Sequence, residues 1–106
     1  MTQYPPQQLK AMINNSYAPK RHPIAVQAWF PTGTESKPKI MMIKIKDPDG
    51  DIITIRQITL LSHEYVNRFG AGIYCCRCEI PLQNRKREVE ILFFPHDLRW
   101  ELEFIN

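Results

Sequence analysis

Cys75, Cys76 and Cys78, three thiols within four positions, together with His63 and His96, are the residues of this chain best suited to chemistry. Thiolates and imidazoles bind zinc, and a thiolate beside an imidazole is a nucleophile. Structural zinc sites, however, usually draw cysteine pairs from two separate places in the chain, and here there is one cluster. In an extended strand Cys76 and Cys78 share a face with Tyr74 and Ile80, as small core residues would. Cys75 points the other way, as an exposed thiol. A catalytic role for it would require His63 or His96 alongside, an orienting group and a lowered thiol pKa. The chain has no glycine-rich phosphate loop, no serine elbow and no paired-carboxylate motif. The expectation is a protein that is not an enzyme, with no catalytic residues, no metal and no cofactor.

A second group of residues could hold a ligand without transforming it. Residues 1–46 carry seven basic groups and one acid, whereas residues 47–106 carry seven basic groups and ten acids. Lys37, Lys39, Lys44 and Lys46, with Arg85, Lys86 and Arg87, could form a phosphate-binding surface; Lys44, Lys46, Arg85, Lys86 and Arg87 are the chosen contacts. Small barrels that bind nucleic acid also stack bases on exposed aromatics, for which Tyr17, Trp29 and Phe94 are candidates. The plain alternative is a solvated basic face that confers solubility. Alternation along the strands places Trp29, Met42 and Phe94 outside, where large apolar side chains either mark an interface or, for Trp29 and Phe94, are covered by Leu9, Met12 and Ile13 of a folded-back N-terminal extension. The leading expectation is therefore a protein-interaction module that engages another protein or a second copy of itself. A nucleic-acid-associated barrel is the alternative.

These side chains must be positioned by a small fold. A chain of 106 residues suffices for one modest core, and 43% apolar with 24% charged residues is a globular composition. No apolar run approaches the length of a membrane helix, and no secretory leader is evident, so a cytoplasmic location is expected. An odd number of clustered cysteines fits a reducing compartment.

Residues 1–23, with Pro5, Pro6, Pro19 and Pro23, read as an N-terminal extension. Leu9, Met12 and Ile13 have the spacing of a short helix that must dock or fray. Residues 24–106 read as the β-barrel domain. Ile24, Val26, Ala28 and Phe30 form one face of a first strand. Ile40–Lys46 follows, with Met41, Ile43 and Ile45 opposite Lys44 and Lys46. Asp47-Pro48-Asp49-Gly50-Asp51 is a bulged hairpin turn, which sets Ile45 against Ile53, Ile43 against Ile55 and Lys44 against Thr54. The third strand runs from Ile52 to about Leu60; Ser62–Tyr65 is either a capped helical turn or a bent continuation. A fourth strand, Ile73–Ile80, ends at Pro81, and Arg85–Arg87 lies in the connection to a fifth, Glu88–Phe94. The four-residue loop Pro95–Leu98 pairs Phe94 with Arg99, Phe93 with Trp100, Ile91 with Leu102 and Val89 with Phe104. Glu90 would then face Glu103 and repel it. Such a sheet must curl to cover its apolar face. The predicted fold is all-β: a small antiparallel, partly open barrel of SH3-like type with five to six strands. An OB-like barrel is the runner-up.

The string Gly72-Ile73-Tyr74-Cys75-Cys76-Arg77-Cys78, followed by Ile91-Leu92-Phe93-Phe94 and Arg99-Trp100-Glu101, resembles a family of uncharacterised small all-β proteins common in Firmicutes. The likeness covers roughly residues 39–102. It implies a small β domain in a bacterial cytoplasm and supplies no catalytic residues. The N-terminal extension and the basic stretch at Arg85–Arg87 depart from the family pattern.

Overall fold

The computed structural model describes residues 21–31, 37–68, 70–82 and 84–105. Tyr17 and the helical spacing of Leu9, Met12 and Ile13 lie outside the described residues. Seven strands are present: β1 (Arg21–Trp29), β2 (Lys39–Lys46), β3 (Ile52–Ile55), β4 (Thr59–Arg68), β5 (Ala71–Leu82), β6 (Arg85–Phe94) and β7 (Arg99–Phe104). They form one antiparallel sheet in the order β3-β2-β1-β7-β6-β5-β4. The two margins, β3 and β4, are consecutive in the chain and joined only by residues 56–58. That short tie brings the margins towards each other without pairing them, so the sheet curls into a partly open barrel.

The concave face holds the main core. Ile43, Cys76, Cys78, Val89, Ile91 and Leu102 are fully buried, and Ile40, Ile45, Ile53, Ile55 and Ile80 complete the cluster. The strand patterns explain this, since inward residues recur at every second position. The Asp47–Asp51 hairpin has the expected register, with Ile43 opposite Ile55, Lys44 opposite Thr54 and Ile45 opposite Ile53. Gly50 closes it at φ 89°, a conformation available to glycine without a Cβ penalty. The Asp47 carboxylate caps the turn from inside: its Oδ1 accepts the amides of Asp49 (2.9 Å) and Asp51 (2.8 Å).

The β6–β7 hairpin also pairs as expected: Phe94 with Arg99, Phe93 with Trp100, Ile91 with Leu102 and Val89 with Phe104. Glu90 does face Glu103. Each carboxylate has its own cation on the outer side, Arg77 beside Glu90 (3.8 Å) and Arg21 beside Glu103 (3.9 Å), which offsets the repulsion.

Several expectations are corrected. The sheet has seven strands rather than five to six, because the expected Ile52–Leu60 strand breaks at residues 56–58. Its first part pairs with β2 and its second with β5, at opposite margins of the sheet, so no single straight strand could serve both. Ser62–Tyr65 continues β4. β1 starts at Arg21, inside the expected extension, because Arg21, His22 and Pro23 pair with Glu103, Leu102 and Glu101.

Pro81 does not end β5 but pairs with Lys86. The pairing of β4 stops at Thr59 opposite Glu79, so the side of Pro81 away from β6 has no ladder in which its missing N–H would count. Arg85, Lys86 and Arg87 are not in a connection; they begin β6, directly after Asn84 at φ 62°. Between β1 and β2 the register shifts at Gln27 and Ala28 of β1, whose partners on β2 are Met42 and Ile40. Met41 is the extra residue of this bulge and is exposed, while Ile40 takes the inward place expected for Met41.

Candidate binding surface

Because Ile40, Ile43 and Ile45 turn inward, Lys39, Met42, Lys44 and Lys46 lie on the convex face of β2. The register supplies their neighbours. Trp29 is opposite Lys39, Gln27 opposite Met42, and Ala25 and Thr54 flank Lys44. Trp29 is 66% exposed, and Met42 is half-buried. Arg56, exposed, follows directly on β3. Outward residues two apart on a strand stand roughly 6.5–7 Å from each other, so Lys44 and Lys46 form a short cationic row.

The electrostatics of the convex face are uneven. Over β5, β6 and β7 most cations have an acid beside them: Arg77 meets Glu88 (3.9 Å) and Glu90 and Lys86 meets Glu79 (3.7 Å) across strands, and Arg99 meets Asp97 and Glu101 (3.2 Å) two residues away in the chain. Lys39, Lys44, Lys46 and Arg56 have no ion pair among the described residues. Asp47, Asp49 and Asp51 lie at the Lys46 end, where Asp47 is buried and engaged with the turn. Positive potential is therefore concentrated along Lys44, Lys39 and Arg56.

Beside Lys39 the surface opens into a cleft of about 340 Å³, an open seam between the first residues of β2 and the 56–60 segment that leads into β4. Ile40, Met41, Ile58 and Leu60 give it apolar walls, and Lys39 and Arg56 stand at it as cations. The cleft was not foreseen, since residues 52–60 read as one strand. The polar pair Arg56-Gln57 interrupting an apolar alternation was the available signal.

The expected site residues separate into groups. Trp29, Met42, Lys44 and Lys46 share one face. Phe94, expected outside, is 9% exposed and belongs to a second cluster with Ile73, Cys75 and Leu92. Its ring also carries the Arg99 guanidinium, 4.1 Å from the centroid. The far ends of β5 and β6 thus bury side chains on both faces, which alternation does not anticipate. Arg85, Lys86 and Arg87 are on β6, three strands from β2 in the sheet order, with Lys86 held by Glu79.

The thiols are core residues. Burial, aided by the neighbouring Cys78 and Cys75, pushes the Cys76 thiol up to about 12, and burial raises Cys78 to about 11. Cys75 is buried too, against the expectation of an exposed thiol. His63 lies opposite Cys76, but its Nδ1 shares a hydrogen bond of 2.9 Å with the Tyr74 hydroxyl. Burial, and secondarily Cys76, raises the Tyr74 phenol above its ordinary pKa. His96 is in the β6–β7 turn. Among the described residues no group of three His, Cys, Asp or Glu side chains is gathered as metal donors. No helix of the described residues is long and apolar enough to cross a membrane.

At the Trp29 end of the barrel, Phe30, Tyr74, Phe93 and Trp100 form a ring cluster, with Phe93 and Trp100 centroids 4.5 Å apart. Phe30 leans on all three other rings, closing that end of the core as a partly exposed plug.

Fold and surface together define a small open β-barrel with a basic outer face over β1–β3. Comparison with family models, curated proteins and solved structures finds no match to this chain.

Proposed function

We propose that the protein is a non-enzymatic binding module that holds single-stranded nucleic acid on the convex face of β1–β3. The observation that carries this reading is one exposed indole, Trp29, on the same face as four cations with no ion pair among the described residues. A basic groove with aromatic stacking platforms is the usual means of binding single strands, because every base has a π-face and every nucleotide a charge. The centre of a protein–protein interface is instead depleted in lysine, and the burial of Phe94 removes one third of the expected apolar patch. We read the open barrel as SH3-like, and the three buried free thiols support a reducing, cytoplasmic setting.

The test is fluorescence anisotropy of a labelled single-stranded oligonucleotide over a salt series. Affinity falls with salt, and Lys44→Ala/Lys46→Ala reduces the slope of log K against log salt by roughly 1.4, about 0.7 per lost phosphate contact. Arg85→Ala/Lys86→Ala leaves it unchanged. Undetectable binding at low salt defeats the reading.

A second reading keeps the face but gives it to an acidic protein or a second copy. It is favoured by Trp29 and Met42 both lying on the outer face of the β1–β2 pair, Met42 opposite Gln27, two residues before Trp29. Concentration-dependent sedimentation that Trp29→Ala abolishes would support self-association.

A further inference from the structure

We infer that the cleft at the open seam receives one unpaired base of the bound strand, with Lys39 and Arg56 holding its phosphate. This deepens the reading above and rests on it. The cleft adjoins the basic face through Lys39, which belongs to both. Its walls, Ile40, Met41, Ile58 and Leu60, are apolar, and its charged groups are two cations with no ion pair among the described residues. An occupant complementary to it has a flat or apolar body and an anionic group. A nucleotide has both, and about 340 Å³ falls within the range of small-molecule pockets. A base enters such a pocket only when out of a duplex, and the cost of extracting it is least when the strand is already single.

The cleft lies where β3 has ended: β3 pairs with β2 only from Ile43 onward, and Lys39, Ile40 and Met41 face the 56–60 segment instead. Met41 lines it only because the β2 bulge turns two successive residues, Met41 and Met42, away from the core. The open margin of the sheet thereby acquires a role: it makes the protein selective for single strands, where cations alone would accept a duplex as well.

The experiment compares three labelled probes at equal salt: a thymidine dodecamer, the same backbone without bases, and the dodecamer paired with its complement. The expected result is binding of the dodecamer at least about tenfold tighter than of either other probe. Met41→Glu, which puts a carboxylate at the exposed bulge that lines the cleft with the two cations, should erase that preference, and its circular dichroism should match the wild type. Equal affinity for the base-free probe or the duplex, with the salt dependence intact, overturns the base-in-cleft inference and leaves the binding function standing. A preference retained in Met41→Glu also overturns it. Absence of binding by all three probes overturns both.

Discussion

The phenol of Tyr65 on β4 occupies the space that a side chain at Gly72 on β5 would need; a Cβ built at Gly72 meets the Tyr65 hydroxyl and ring. Gly72 pairs with Asn67, one diagonal step from Tyr65, so the aromatic ring covers the bare backbone of the neighbouring strand. Glycine within a strand otherwise weakens it. Gly72→Ala should therefore destabilise the protein by about 1 kcal/mol, since Tyr65 must swing into solvent. In a Tyr65→Ala background the same change should be neutral or slightly stabilising. A double-mutant cycle by urea unfolding measures the coupling.

Trp29 and Phe94 were equivalent candidates by strand alternation, and the structure separates them. Phe94→Ala should cost about 3 kcal/mol of stability, the usual penalty for emptying a buried aromatic site, with binding by the folded fraction unchanged. Trp29→Ala should leave the unfolding midpoint within about 0.5 kcal/mol and weaken oligonucleotide binding by ~1–3 kcal/mol. Paired denaturation and anisotropy measurements distinguish the two.

The buried thiols give the protein an alkaline limit. Cys76 and Cys78 keep their protons in the folded state up to about 12 and about 11, against 9.0 when unperturbed. The folded state thus binds these protons more tightly than the unfolded chain does. Their contribution to stability is complete below pH 9 and is lost as pH rises through 11 and 12. Unfolding free energy should fall across that window, and less steeply in Cys76→Ala/Cys78→Ala. At pH 8 neither thiol should react with a thiol reagent faster than the protein opens.

Asp47 is the polar anchor of the β2–β3 hairpin. Asp47→Ala removes the acceptor of two backbone amides and should cost about 1–2 kcal/mol, read from the shift in denaturation midpoint. Because β3 is short and lies at the sheet margin, its amides should lose exchange protection first in this variant.

Much of the fold was legible because hairpins are local. The Asp47–Asp51 turn and the Pro95–Leu98 loop have defined lengths, and loop length sets register, so the facing residues followed from counting. The bulge at Met41, the break at 56–58 and the pairing of Pro81 were not legible, because each depends on which strand lies on the other side. Half the binding face was legible: alternation alone put Trp29, Met42, Lys44 and Lys46 outside. Alternation could not tell that Phe94 is covered on its outer side, because period-two patterning presumes one buried face.

By itself the sequence determined that this is an all-β chain, which residues face the core in the paired parts of the β2–β3 and β6–β7 hairpins, apart from Phe94, and that Cys76 and Cys78 belong to that core. Those properties follow from side-chain periodicity and turn chemistry, which act over a few residues. Only the tertiary structure decided that β3 and β4 are the unpaired margins, that acids of β5–β7 stand beside Arg77, Lys86 and Arg99, and that the lysines of β2 have no such partners among the described residues. Charge balance and sheet closure depend on strands distant in the chain, and their neighbours are set when the whole sheet curls around one core.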